Sequence, residues 1–113
     1  MTWPLDKDAI YRFSPRGIKV FLRRSTWFEH ICDGHPEMHN CLKDVLLTLE
    51  APEMAYEDGP HGYNYRYSEK VGSFIMLIFR VSRTGARIGW VKTAYLTQNP
   101  YVEVSGMNKV WPI

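Results

Sequence analysis

The chain of 113 residues has a formal net charge of +2 and is 45% hydrophobic, 14% aromatic and 23% charged, a composition that excludes disordered and membrane classes and fits one globular domain around a single core. Met1 to Phe13 has charges and a proline where a secretory signal needs an unbroken apolar run, and no segment approaches the ~18 apolar residues of a membrane span. The expectation is a cytoplasmic domain with no membrane partner. The charges segregate along the chain: five basic residues and no acid from Tyr11 to Arg24, eight acids against Lys43 from Glu29 to Asp58, and six basic residues against Glu69 from Arg66 to Lys92. A fold that unites the first and third blocks would have a basic face suited to an anionic ligand.

After a turn at Ser14-Pro15-Arg16, the alternating run Gly17 to Arg23 predicts a short strand. Ser25 is placed to cap a helix from about Thr26 to Cys32, with Trp27, Phe28 and Ile31 as its apolar stripe and Asp33-Gly34 as its stop. Pro36 suits the first position of a second helix, where its missing N–H is not needed. Met38, Leu42, Val45, Leu46 and Leu49 then recur at helical spacing, predicting one helix from Pro36 to about Glu50, ended by Ala51-Pro52.

Beyond Pro52 the period becomes two. Glu53 to Asp58 reads as an edge strand, followed by a loop at Gly59-Pro60-His61-Gly62. Tyr63, Tyr65 and Tyr67 alternate with Asn64 and Arg66, so the tyrosines share one face. Ser73 to Val81 is apolar almost throughout, as in a central strand covered on both sides. Arg83-Thr84-Gly85-Ala86 reads as a hairpin turn. In the last long strand Ile88, Trp90, Lys92, Ala94 and Leu96 are expected on one side, with Val91, Thr93 and Tyr95 on the other. The tail either adds a strand at Tyr101 to Val104 or wraps the domain. The whole predicts an α+β domain: an N-terminal strand and two helices packed on one face of a three- to four-stranded antiparallel meander.

Histidine at the end of a first helix (His30), His35-Pro36-Glu37 opening the second, Thr48-Leu49-Glu50-Ala51-Pro52 at its close and Thr93-Ala94-Tyr95 in the last strand occur in this order over Phe28 to Thr97. This pattern resembles the phage-associated nuclease branch of the fold shared by barnase, EndoU, the tRNA-cleaving colicins and RelE. The resemblance implies a small ribonuclease or toxin, independent of metal and cofactor, that cleaves tRNA or messenger RNA through attack of a 2′-hydroxyl on the adjacent phosphate. It also implies an antitoxin or immunity protein as partner. The alternative is a catalytically silent accessory protein of phage or mobile-element origin that uses the fold to bind a protein or nucleic acid.

Such chemistry needs a base, an acid and donors for the charge that develops on phosphate. Histidine is the natural proton carrier, since the unperturbed imidazole titrates near working pH. His30, projecting from a helix, is one candidate; His35, at a helix start where backbone N–H groups favour an anion, is the other. Glu37 reads as a first-turn carboxylate. Arg66, Arg80 and Lys92 are candidate phosphate ligands, and each reads equally as a solvated strand charge. Thr93 and Tyr95, placed by the resemblance, would position the reacting group. Tyr65, with Tyr63 and Tyr67, would stack on unpaired bases, although an aromatic stripe of this period is more often core.

Glu29 to Asn40 also offers metal-type ligands in Cys32, His35 and His39, with Cys41 following. On a helix Cys41 lies about 200 degrees from His39, so the four cannot converge. Cys41 belongs with Leu42 and Val45 in the core, His39 reads as an exposed helix residue, and a site from Cys32, His35 and His39 is the remaining metal alternative.

Overall fold

The period-two stretches assemble into one sheet in the computed structural model, which describes residues 1–59, 62–82 and 87–112. The expected loop at Pro60-His61 and the hairpin turn Arg83-Thr84-Gly85-Ala86 lie outside the described residues. The strands are β1 (Ala9–Phe13), β2 (Lys19–Arg23), β3 (Met54–Asp58), β4 (Tyr63–Lys70), β5 (Ser73–Val81), β6 (Ile88–Thr97) and β7 (Asn108–Trp111). Their spatial order is β1-β2-β6-β5-β4-β3-β7. β2 runs parallel to β6, and the other pairings are antiparallel. The α+β class stands, but the sheet has seven strands and is mixed, larger than the predicted meander.

Two strands account for the difference. β1 buries Ile10 and turns Tyr11 and Phe13 outward, and its one polar residue, Arg12, falls on the Ile10 face, so it lacks the apolar-in, polar-out alternation that marks a half-buried strand. It is joined to β2 by the predicted turn. The Gly17 N–H donates to the Ser14 carbonyl at 2.9 Å and the Ile18 N–H to Ser14 Oγ at 3.2 Å. Gly17 sits at φ +81°, a left-handed conformation that glycine adopts without strain, which delays the strand to Lys19. At the other end, Tyr101 to Val104 is no strand. Pro100 opens a short helix, α2 (Pro100–Glu103), and the chain then returns as β7 alongside β3. β3 is therefore an interior strand, and the tail wraps the domain.

The helical segment is more broken than its apolar spacing predicts. Thr26–Cys32 winds as a π-helix; Ser25 is already helical at φ −62°, ψ −41° and makes no capping bond. Asp33 remains helical, and the turn ends at His35, whose φ of −137° and ψ of 79° follow from the steric demand of Pro36 on the residue before it. The expected helix from Pro36 is a 3₁₀ turn, Pro36–Asn40, a break at Cys41, and then α1 (Leu42–Glu50). Met38, Leu42, Val45, Leu46 and Leu49 are buried all the same, each such side chain contributing about 1.5–3 kcal/mol by leaving water.

These helical pieces seal one face of the sheet, where Trp27, Ile31, Met38 and Leu42 pack with Val20, Leu22, Leu77 and Phe79 in one core. On the opposite face a second cluster forms over β3, β4 and β5 and reaches Tyr95 of β6, with Val104 and Met107 of the tail packed on Tyr67, Met76 and Ile78. Among the described residues the part of that face over β1 and β2 is open. Among the described residues no helix is long and apolar enough to cross a membrane.

One close approach sets the spacing of the central strands. A Cβ at Gly89 would meet the Arg80 carbonyl oxygen at 2.9 Å and the Phe79 ring at 3.1 Å, whereas one at Gly34 would meet nothing within 4 Å. Gly89→Ala is expected to lower unfolding free energy by about 1–3 kcal/mol through overpacking. Gly34→Ala should be neutral or stabilising by about 0.4–1 kcal/mol. Urea unfolding of the two variants checks this, and equal effects would contradict the packing described.

Candidate nucleic-acid interface

In β6 the pairing with β5 slips by one residue: Thr93 lies opposite Ile78, Val91 opposite Phe79, and Lys92 falls between them. A bulge of this kind shifts the alternation of the strand, so residues expected on opposite faces come to share one. The expected grouping of Trp90 and Lys92 with Ala94 and Leu96 does not hold. Ala94 is buried in the helix-side core and Leu96 packs against it, while Trp90 stacks on Phe21 and Lys92 reaches Tyr63 on the open face. Thr93 and Tyr95 share that face, Tyr95 packing on the second cluster.

The bulge thereby assembles a row of candidates. Lys92 Nζ donates to Tyr63 Oη at 3.0 Å and lies 4.5 Å from the centre of its ring. The Arg80 guanidinium lies 5.5 Å from the same ring. The hydrogen bond from Lys92, then its charge, draws the Tyr63 phenol below its ordinary pKa. Arg80 and Lys92 are both exposed, so their charges remain available to an anion. Tyr65 is half-buried one row further along, opposite Ile78, which pairs with Thr93 on its other side. Tyr63 was not among the leading candidates; its period-two alternation with Tyr65 and a lysine near the facing strand's centre were the available signals.

Beyond this row, at the Tyr95 end of β6, stands the one histidine among the described residues that meets the face. The His35 ring lies 5.6 Å from that of Tyr95, and its Nδ1 is 3.7 Å from Glu37 Oε1. The Tyr95 hydroxyl donates to the Glu103 carboxylate. Burial first, then that bond, pushes the Tyr95 phenol well above its ordinary pKa, so it stays protonated. Glu103, from α2, had no sequence signal linking it to Tyr95; its Oε2 is buried without a protein partner.

The remaining candidates go elsewhere. His30 is exposed on the π-helix, and its side chain makes no hydrogen bond, ion pair or ring contact among the described residues. It does not join His35 and Tyr95. The segment after His35 is a five-residue 3₁₀ turn, too short to align the peptide dipoles that an anion-binding helix start requires, so that expectation falls. Cys32 is buried and His39 exposed, and no three His, Cys, Asp or Glu side chains could hold a metal among the described residues. Burial raises the pKa of both free thiols, Cys32 and Cys41.

Arg66 departs furthest from expectation. It is 1% exposed, on the helix side of the sheet, with its guanidinium 4.7 Å from the centre of the Phe79 ring. Its Nε and Nη1 make no hydrogen bond to protein. Burial lowers its pKa to about 10 despite the opposing pull of Glu57, and Glu57 is shared with Arg16 at 3.5 Å. Arg66 is thus a structural cation that no ligand on the open face can reach.

No family model, curated protein or solved structure matches this chain.

If Arg66 only fills space, Arg66→Met should leave stability unchanged or raise it, by up to about 1–4 kcal/mol as for other buried charges replaced by apolar isosteres. Arg66→Ala, which empties the space over Phe79, should lose about 2–4 kcal/mol. A large loss in the Met variant, read by urea unfolding, would show that the charge itself is required.

Proposed function

We propose that the domain is a small RNA-binding protein of ribonuclease type, cleaving by attack of a 2′-hydroxyl on the adjacent phosphate where His35 meets Tyr95. The single observation that carries this reading is the His35 imidazole, 5.6 Å from the Tyr95 ring, at the margin of a face that also presents Thr93, Lys92 and Arg80. It agrees with the sequence resemblance to the barnase, EndoU, colicin and RelE fold, in which His35, Thr93 and Tyr95 fall on the shared pattern.

The roles follow from position and chemistry. His35 takes the proton of the attacking 2′-hydroxyl, with the Glu37 carboxylate 3.7 Å from Nδ1 to orient the ring, and water protonates the leaving oxygen. Lys92 and Arg80 offset the charge that grows on phosphate oxygens, and the Thr93 hydroxyl is a donor beside them. Tyr95 acts as a positioning residue, because its hydroxyl keeps its proton and donates a hydrogen bond to the Glu103 carboxylate. Tyr65 and Tyr63 offer ring faces for bases near the scissile phosphate. His30 has no role in this scheme.

One observation favours the catalytically silent alternative. Cations and rings are plentiful on the face, whereas His35 is the one imidazole brought to it among the described residues. In that case the same face binds nucleic acid without cutting it.

Purified protein incubated with total tRNA and with messenger RNA, with and without EDTA, separates the two. Cleavage that survives EDTA and leaves cyclic-phosphate ends is expected, with His35→Asn reducing the rate by about 10²–10⁴ and His30→Ala leaving it within about threefold. Absence of cleavage with any RNA would select the silent binding domain, and loss of cleavage with EDTA would contradict the mechanism.

A further inference from the structure

The open face does not end at Tyr63 and Trp90; it continues over β2 and β1, where no candidate was expected. Three exposed rings stand there, Tyr11 at 45%, Phe13 at 54% and Trp90 at 37%, with Phe21 half-buried between them. They form a continuous row. Phe13 meets Tyr11 at 5.8 Å between ring centres, Tyr11 meets Phe21 at 5.7 Å, and Phe21 stacks on Trp90 at 6.2 Å with 25° between planes. None of these rings is needed to seal a core, since the helices cover the other face.

Cations are interleaved with the rings. Lys19 Nζ lies 4.2 Å from the centre of Tyr11 and 5.4 Å from that of Phe21, and the Arg23 guanidinium lies 5.7 Å from that of Trp90. The described strand residues that share this face of β1, β2, β6 and β5 include no acid. At the far end of the same face the protein covers its own rings: Tyr67 and Phe74 pack edge to face with each other and with Tyr101 of the tail, which lies over them. On β1 and β2 it leaves them bare.

We propose that the Tyr11–Phe21–Trp90 row, with Lys19 and Arg23, is a platform for unpaired bases of a single-stranded polynucleotide. The partner must present flat apolar rings and regularly spaced negative charge together. An unpaired strand does so, because its bases can splay onto aromatic side chains while its phosphates meet the cations. A duplex offers the charge but keeps its bases stacked on one another, and an acidic peptide offers the charge without the rings. Each ring already lies beside a cation, so a base can take the ring face as Lys19 or Arg23 swings to the neighbouring phosphate. The platform rests on nucleic acid being the partner, as in the reading above, but not on cleavage. It extends the path of the strand from the His35–Tyr95 corner across the width of the sheet.

The test uses the full chain and fluorescence anisotropy of short labelled oligonucleotides: a single-stranded RNA, its DNA counterpart and the corresponding DNA duplex. The DNA strand lacks the 2′-hydroxyl, so it reports binding whether or not the protein cleaves. Binding of at least one single strand is expected, about tenfold tighter than the duplex; RNA-only or equal binding identifies the preferred sugar. Tyr11→Leu and Trp90→Leu should each weaken it about tenfold, the loss of one base stack, while the exposed Tyr101→Leu ring variant changes it by less than about twofold. The Lys19→Gln, Arg23→Gln double variant should make the salt dependence shallower by about 1.4 in log–log slope, about 0.7 for each phosphate contact on a single strand. No binding of either single strand would overturn the proposal, as would duplex binding equal to single-strand binding. Unchanged affinity in the Tyr11 and Trp90 variants would overturn it too, and so would self-association of the protein that those variants abolish, which would make the row a protein interface. Because the DNA strand reports binding without a 2′-hydroxyl, loss of cleavage alone does not bear on the platform.

Discussion

The one-residue slip at Lys92 is the constraint on which the arrangement of this domain depends. Between the Ile78–Thr93 and Phe79–Val91 pairs, β6 takes up one residue that β5 does not match. Without it, strict alternation would send Trp90 and Lys92 to the same side as Ala94 and Leu96, where Leu77 and Phe79 leave no room for an indole and an ammonium. With it, the strand keeps Val91 and Ala94 in the core and turns Trp90, Lys92, Thr93 and Tyr95 outward together. Gly89, with the Arg80 carbonyl oxygen 2.9 Å from where its Cβ would stand, lets the two strands stay close enough for the slip to be absorbed.

From this the division of labour between the faces follows. One face is closed by helical segments and holds nearly all the aliphatic core. Among the described residues the other is covered over β3, β4 and β5, where a tail adds β7 to the sheet and packs Val104 and Met107 on the second cluster. The basic blocks on either side of the acidic helical segment meet on the open part of this second face: Lys19 and Arg23 come from the first block, Arg80 and Lys92 from the third. Not every cation of these blocks joins them: Arg66 is taken into the helix side and left over the Phe79 ring, Lys70 pairs with Asp44 at 2.8 Å, and Arg16 pairs with Glu57 at 3.5 Å.

Much of this was legible in the sequence, for a physical reason in each case. Met38, Leu42, Val45, Leu46 and Leu49 mark the buried face correctly because burial selects residue type whatever the exact winding, even though Pro36 and Cys41 break the helix they imply. The apolar run of β5 and the tyrosine alternation of β4 were readable because both faces of the sheet are packed there. What was not legible depended on distant partners. β1 hides because its outward residues are aromatic, and β7 because its pairing comes from β3, more than fifty residues earlier in the chain. A bulge leaves no mark in a strand whose two readings are equally apolar, so the face of Lys92 could not be assigned. Of the candidate site, His35 and Tyr95 come together, with Thr93, Lys92, Arg80 and Tyr65 on the adjoining face. His30 and Arg66 fail for opposite reasons, one left in solvent away from the face and the other buried behind it.

Where a polynucleotide touches the protein decides whether the open face is the one that binds it. Backbone and aromatic chemical-shift mapping by NMR during titration with a single-stranded DNA oligonucleotide would locate that contact residue by residue. Shifts confined to Tyr11, Phe21, Tyr63, Trp90, Lys92 and Tyr95, with His35 at their margin, are predicted. Shifts centred instead on His30 and the helix-covered side, or none at all, would contradict the claim that the Lys92 bulge builds a nucleic-acid face.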